Sequence, residues 1–437
     1  MKHRERSSDL TGATHQTRAM IARFGALAAG LALVLSACSS SGATSSAAAS
    51  AAQSNAPASA PASAPASAAT SADKTTFCPN GRINVAVVGP MSGPEASYGQ
   101  EQANAVQLAA KQINAAGGIT GGALKGCTVN VTGPFDDKAD AATGAQIATQ
   151  VASDGSVLGW FGDIDSSVTS ATLPILARAD IPVLTAASSN PKLSTLGATN
   201  FFRLVTNDNY EGGVIADQLV TTFHRTKIAV AWVNSTYGQG VAQAFRDEVA
   251  KAGGQVVVDY GYPAGSTDYS VFVTKAKQAG ADGIALLGTY TEDSLKIKQL
   301  ASAGLKPSSS LSIMGNSSDN TPAFLKAAGS DAEGVYLDGF WDPSATGPVG
   351  QKFIADFKAA YNVDPSQNAA CAFDAVEVWA YAVANGGSNR TDLVTALHGV
   401  HSYTGVTGLV DFTSTGERQN VQVAILQVSG GNIVPVK

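Results

Sequence analysis

Charge is scarce in this chain. Only 14% of its 437 residues are Asp, Glu, Lys or Arg, and the net charge is −6. Nucleic-acid binding needs a basic stripe or face, so that partner class is excluded. Histidine is scarcer still, with five residues, two of them His3 and His15. His398 and His401 are spaced for one face of a helix, but no third ligand lies near them, and they read as a solvated pair. The acidic cluster Asp136, Asp137 and Asp140 lacks the EF-hand spacing and reads as a solvated loop, so no metal site is expected. Phosphate signatures are missing too. The loop "VVGPMSGPEASYG" (Val87–Gly99) follows a strand and is glycine-rich, yet Gly89, Gly93 and Gly99 fit neither G-x-G-x-x-G nor the P-loop. Pro90 and Pro94 also remove amide donors that a phosphate would use. No nucleotide or other cofactor is expected.

Catalytic signatures are incomplete. G-x-S-x-G does not occur. Ser189-Asn190-Pro191-Lys192 fits S-x-x-K and Ser318-Asp319-Asn320 fits S-D-N, but the K-T-G element is absent and Pro191 interrupts the first piece. The chain reads as a non-enzyme, with a secreted serine hydrolase as the alternative from another class.

Long apolar runs are also missing. The one candidate, Phe24–Leu35 "FGALAAGLALVL", follows Lys2, Arg4, Arg6, Arg18 and Arg23. It is too short to span a bilayer and has signal-peptide form. It ends in Leu35-Ser36-Ala37-Cys38, which resembles a bacterial lipobox. That resemblance implies a lipoprotein signal peptide over 1–37, cleavage before Cys38 and lipid on its sulfur. Removing 1–37 leaves 23 Lys and Arg against 32 Asp and Glu, a charge of −9. Residues 38–76 are mostly Ser, Ala and Pro with "PASA" repeated, which cannot build a core and reads as a disordered tether. The folded part begins near Phe77, in the cell envelope, on the outer face of the cytoplasmic membrane.

From residue 82 the pattern alternates. Strands are expected at Ile83–Val88, Val129–Val131, Val157–Phe161 and Pro182–Leu184, with amphipathic helices between them. Val106, Ala109, Ala110 and Ile113 share one helix face. Strand–helix alternation points to mainly parallel sheets with helices on both sides. Cys78 precedes the first strand and Cys127 begins the second, so adjacent parallel strands bring both to one sheet edge, and export permits a disulfide. Cys371 lies in an apolar helical context and reads as a buried free thiol. The pattern restarts at Lys227–Val233, followed by Val256–Tyr260, Gly283–Leu287 and Leu311–Met314. It carries an echo: strand, polar loop, "YGQ" at Tyr98–Gln100, helix, "AGG" at Ala116–Gly118, then the same order with Tyr237–Gln239 and Ala252–Gly254. Two similar units imply two lobes. Ligands of such sheets sit beyond the carboxyl ends of the strands, so facing lobes would line one cleft.

"INVAVVGPMSGPEASYGQEQANAVQLAAKQINAAGGI" closely resembles the start of the leucine/isoleucine/valine-binding proteins, and "IAVAWVNSTYGQG", "GIALLGTYTED" and "AEGVYLDG" continue the match in order to about residue 430. These are type I periplasmic binding proteins that feed ABC importers. The resemblance implies an α/β fold of two Rossmann-like lobes with parallel sheets, joined by three crossovers. The crossovers are placed near 205, 338 and 408, giving lobe 1 as 77–205 plus 339–408 and lobe 2 as 206–338 plus 409–437. It also implies hinge closure on a small-molecule ligand and recognition of the closed form by ABC permease subunits.

The family's ligand contacts fall on Tyr98, Ser166, Ala187, Ser189, Tyr237 and Tyr290. Ser166 and Ser189 would donate to a carboxylate, the Ala187 carbonyl would accept from an ammonium, and the tyrosines would wall the cleft. One position departs. In "MGNSSDN" Ser317 stands where the family has a glutamate against the ammonium, and Asp319 is the candidate substitute. The function implied is capture of amino acids of the branched-chain type, or related polar compounds, for import. The alternative within the fold is an extracytoplasmic sensor for amides, urea or organic acids.

Overall fold

The computed structural model describes residues 71–344 and 346–436. The expected signal peptide, Cys38 and the tether as far as residue 70 lie outside the described residues. The end of the tether reading needs correction, because Ser71–Phe77 is a helix, α1. Its last turn is closed by the Cys78 amide donating to the Lys74 carbonyl at 3.1 Å. Phe77 and Cys78 are both buried in the first core, which holds the segment down.

The first sheet grows around β1 (Arg82–Gly89, RINVAVVG). Its inner residues are buried on both faces, so it reads as a continuous apolar run. Ile83, Val85 and Val87 face one layer while Ala86 and Val88 face the other, the period of two that a strand imposes. β2 (Thr128–Asp136), β3 (Val157–Phe161), β4 (Val183–Thr185) and β5 (Phe201–Arg203) complete an all-parallel sheet in the order β2-β1-β3-β4-β5. α2 (Ala96–Ala115), α3 (Ala141–Ser153) and α4 (Ser166–Arg178) make the first three connections. The strand order reverses between β1 and β3. A crevice opens at such a switch point, and the loops into α2 and α4 border it.

The second sheet repeats this plan. α5 (Asp208–Asp217) crosses to β6 (Lys227–Val233), and α6 (Thr236–Lys251), β7 (Gln255–Tyr262), α7 (Ser270–Ala279), β8 (Gly283–Leu287), α8 (Tyr290–Ser302), β9 (Ser312–Met314), α9 (Pro322–Ala328) and β10 (Tyr336–Gly339) follow. β6 alternates between two cores, with Ala229, Ala231 and Val233 on one side and Ile228 and Val230 on the other. From β7 to β10 the order is β7-β6-β8-β9-β10 and all pairs are parallel, so β6 occupies the place that β1 has in the first sheet.

The chain then returns to the first lobe with α10 (Pro348–Tyr361), α11 (Gln367–Ala384) and α12 (Arg390–His398). α11 is buried on nearly every side, and the Trp379 indole donates to the Leu158 carbonyl at 3.0 Å. The hairpin of β11 (Tyr403–Gly405) and β12 (Gly408–Val410) follows. Here the expected division at 408 differs from the structure. Val410 and Phe412 belong to the first core, and the Arg418 guanidinium donates to the Leu204 carbonyl at 2.9 Å. The chain rejoins the second sheet only at β13 (Ala424–Ser429), which runs antiparallel to β10 and to β14 (Asn432–Pro435). The second sheet is therefore mostly, not wholly, parallel. Among the described residues, no helix is long and apolar enough to cross a membrane.

Cys78 and Cys127 form a disulfide across 49 residues, and Cys371 is a buried free thiol. Closing a loop of that size stabilises a fold by roughly 2–4 kcal/mol. A Cys78→Ser/Cys127→Ser double variant is expected to lose that much in denaturant unfolding, with an unchanged result in reducing buffer. Equal midpoints for variant and wild type would show the bridge to be idle.

Candidate ligand-binding site

The site is built from helix beginnings. Tyr98 and Tyr237 occupy the first turns of α2 and α6, each followed by a glycine. Those glycines are sterically required. A Cβ on Gly99 would lie 2.2 Å from the Pro90 carbonyl oxygen, and one on Gly238 would lie 1.9 Å from the Val233 oxygen. The repeated Tyr-Gly pair thus marks two places where a helix start is pressed onto a strand end, with an aromatic ring turned to the space between the lobes.

That space is a cavity of about 140 Å³, room for a small metabolite and too little for a nucleotide. Tyr98, Ser166, Ala187, Ser189, Tyr237 and Ser317 all line it. Tyr290 and Asp319 do not. Tyr290 stands behind Tyr98, edge to face at 4.9 Å, with its hydroxyl donating to the Pro94 carbonyl at 3.0 Å. Asp319 is fully buried beneath the loop, where one carboxylate oxygen accepts from the Asn316 amide at 3.4 Å. Burial, with Asp293 beside it, holds the Asp319 carboxyl well above the carboxylate range. Neither side chain reaches the cavity, Tyr290 because Tyr98 stands against it and Asp319 because the Ser317–Asp319 turn carries it inward.

One wall suits an anion. The first-turn amides of α4 have no acceptor within the helix, and Ser166 and Ser167 face the cavity. The Ser166 hydroxyl oxygen accepts from the Asn190 amide at 3.2 Å, which leaves its own hydrogen for a ligand. The loop carrying Ala187 and Ser189 is clamped from behind. The fully buried Arg203 donates to the carbonyls of Ser188 at 2.9 Å and Asn190 at 3.1 Å, and pairs with Glu417 at 2.7 Å. Burial holds the neighbouring Asp208 carboxyl well above its usual range.

At the opposite wall the Ser317 amide donates to Glu211 Oε1 at 3.0 Å, and its carbonyl accepts from the Gln367 side chain. Glu211 lies on α5 and was not anticipated, because nothing in the sequence links it to a loop more than a hundred residues away. Glu95 and Asp165 were missed as well, though both line the cavity. The signal was present in their positions, an acid directly before each helix start.

The lobes meet around the cavity through hydrogen bonds. The Tyr98 hydroxyl donates to the Ser318 carbonyl at 2.6 Å and accepts from the Tyr290 amide at 3.3 Å. Asn190 donates to the Thr236 carbonyl at 2.6 Å.

Other readings change in detail. Asp137 is buried rather than solvated, and burial pushes its carboxyl up to about 7. His398 ends α12 against the Thr199 carbonyl at 2.7 Å, while His401 lies beyond the helix, 3.5 Å from Asp411, so they share no helix face. Among the described residues no group of three His, Cys, Asp or Glu side chains is placed to hold a metal. Ser189 and Ser318 both reach the cavity, and among the described residues no Lys, Arg or His lines it.

A family model described as periplasmic binding protein matches residues 82–432. The leucine-, isoleucine-, valine-, threonine- and alanine-binding protein of Pseudomonas aeruginosa is 28% identical over 348 residues, 79% of this chain and 89% of the relative. Among solved structures, a leucine-binding protein from Thermotoga maritima superposes with a TM-score of 0.74 at 22% identity, covering 81% of this chain and 98% of that one. The branched-chain amino acid transporter substrate-binding protein of Streptococcus pneumoniae, in complex with isoleucine, also gives 0.74, at 25% identity, covering 82% and 99%.

Tyr98→Phe removes one hydroxyl that serves both lobes and leaves the buried Tyr290 amide without its acceptor. The expected cost is about 1–3 kcal/mol of the closed arrangement, visible as a larger radius of gyration in solution scattering and a lower melting temperature. A variant indistinguishable from wild type in both would show that this bond does not hold the lobes together.

Proposed function

The chain belongs to the periplasmic binding protein family, and from that premise we propose that it is the solute receptor of an ABC importer, capturing an amino acid or related zwitterion between its lobes. The observation that carries the reading is the anion wall: unpaired first-turn amides of α4 beside a Ser166 hydroxyl whose lone pair is already taken by Asn190. Such a wall binds a carboxylate by charge-assisted hydrogen bonds and the positive end of the helix. The names of the relatives point to amino acids as the ligand class.

Tyr237, Ser235 and Ser317 face that wall from the second lobe. A ligand seated on α4 therefore gains its remaining contacts only when the lobes are together. That differential affinity draws the population toward the closed form, with the Tyr98–Ser318 and Asn190–Thr236 bonds as its latch. Export, lipid on Cys38 and a permease that reads the closed form complete the proposal. They place the receptor on the outer face of the cytoplasmic membrane, next to its importer.

Thermal-shift screening of the purified protein against amino acids tests this. A ligand at 100 times its dissociation constant adds about 2.7 kcal/mol of stability, and Ser166→Ala should weaken the binding ligand tenfold or more. Binding that Ser166→Ala leaves untouched would remove the cleft assignment. Separately, Cys38→Ala should release the protein from the membrane fraction, and a variant that stays bound would refute the anchor.

A further inference from the structure

Glu95 and Asp165 are the N-cap residues of α2 and α4, yet neither carboxylate caps its helix. An acid at that position ordinarily accepts from the amides of the first turn. Here both side chains turn into the cavity and come within hydrogen-bond contact of each other. Glu95 Oε2 and Asp165 Oδ2 are shut off from solvent and meet no N–H or O–H donor among the described residues. Among the described residues no Lys, Arg or His lines the cavity to balance them. The other charged groups near them are also acids. Asp137 approaches from the loop after β2 and Glu292 from α8, while Tyr98 and Tyr290 add only phenols. Glu292 is already engaged by the Tyr262 hydroxyl at 3.1 Å and the Gly265 amide at 2.9 Å. At the wall where the family resemblance leads one to look for an acid, Ser317 has its amide committed to Glu211.

We propose that the Glu95–Asp165 pair is a second recognition point of the cleft, selecting ligands with a cationic amine remote from their carboxylate, that is, basic or ω-amino acids, over purely aliphatic ones. The inference rests on the carboxylate-binding role of α4 argued above. Two carboxylates in contact must share a proton or accept a cation. A ligand ammonium in the cavity gives the pair the donor and the positive charge that no side chain lining it among the described residues provides, and it displaces the shared proton as it binds. Burial and Glu292 push the Asp165 carboxyl up to about 6, and burial with Asp165 holds Glu95 well above the carboxylate range. Below about pH 6 the Asp165 carboxyl is protonated and the pair loses negative charge, so affinity for a cationic ligand falls there and is regained as the pH rises through that value.

Calorimetric titration of the purified protein with γ-aminobutyrate, 5-aminovalerate and ornithine, against leucine and isoleucine, tests the assignment. The amines should bind at least tenfold more tightly, more so at pH 8 than at pH 5. Glu95→Gln and Asp165→Asn should each weaken amine binding ten- to a hundredfold and flatten its pH dependence. Both substitutions are near-isosteric, and a melting temperature without ligand checks that each variant is folded. Leucine binding as tight as the amines, lost in Ser166→Ala but unchanged in Glu95→Gln, overturns this inference and leaves the receptor reading standing. No binding by any of the five compounds overturns both.

Discussion

The fold rests on two close approaches, one in each lobe, where the first turn of a helix is seated on the carboxyl end of the central strand. Gly99 against the Pro90 carbonyl and Gly238 against the Val233 carbonyl leave no space for even a methyl group. With the helix that near, its opening residue cannot face the core and must face the gap beyond the sheet. Tyr98 and Tyr237 line the cavity for that reason. Both strands, β1 and β6, border the position where the strand order of their sheet reverses, so the same contact also sets where the cavity lies.

Much of this was legible in the sequence because it is local. The strands β6 and β8 follow directly from apolar runs bounded by turns, and the paired Tyr-Gly echo reflects the steric demand just described. Ser166 opens a helix after a strand, but its ligand role came from the family resemblance and not from that local pattern. Tyr290 occupies the same kind of position at the start of α8, and its failure to reach the cavity depends on Tyr98 lying in front of it. That is a relation between lobes, invisible to any local pattern. Asp319 fails similarly, since the turn over Ser317–Asp319 points it into the interior. The third crossover was placed near 408 on the family resemblance, with no local signal behind it, while the long reach of Arg418 to Leu204 keeps the following segment with the first lobe. Glu95 and Asp165 could have been suspected from position alone, as acids at helix starts, but only three-dimensional placement shows them facing each other instead of capping.

The interior charges follow one plan. Arg203 holds the Ala187–Asn190 loop from beneath and is balanced by Glu417. In the second lobe Lys296 is fully buried against Asp293 and the Tyr262 hydroxyl, while Asn316 donates to the Leu286 and Gly288 carbonyls at 3.0 Å and to Asp293. Each network braces a loop that carries cavity residues, Ser189 in one case and Ser317 in the other. Removing one partner of a buried pair leaves an uncompensated charge, so these loops are held in place more firmly than their irregular backbone suggests.

The disulfide between Cys78 and Cys127 has a mechanical meaning as well. It sits at the amino ends of β1 and β2, where the N-terminal segment enters the fold. A pull on that segment arrives at Cys78 and is divided at once between two neighbouring strands, instead of peeling β1 from the sheet one hydrogen bond at a time. Tension applied at the N-terminus is thus shared by β1 and β2 where they enter the first sheet, at the end opposite the loops that line the cavity.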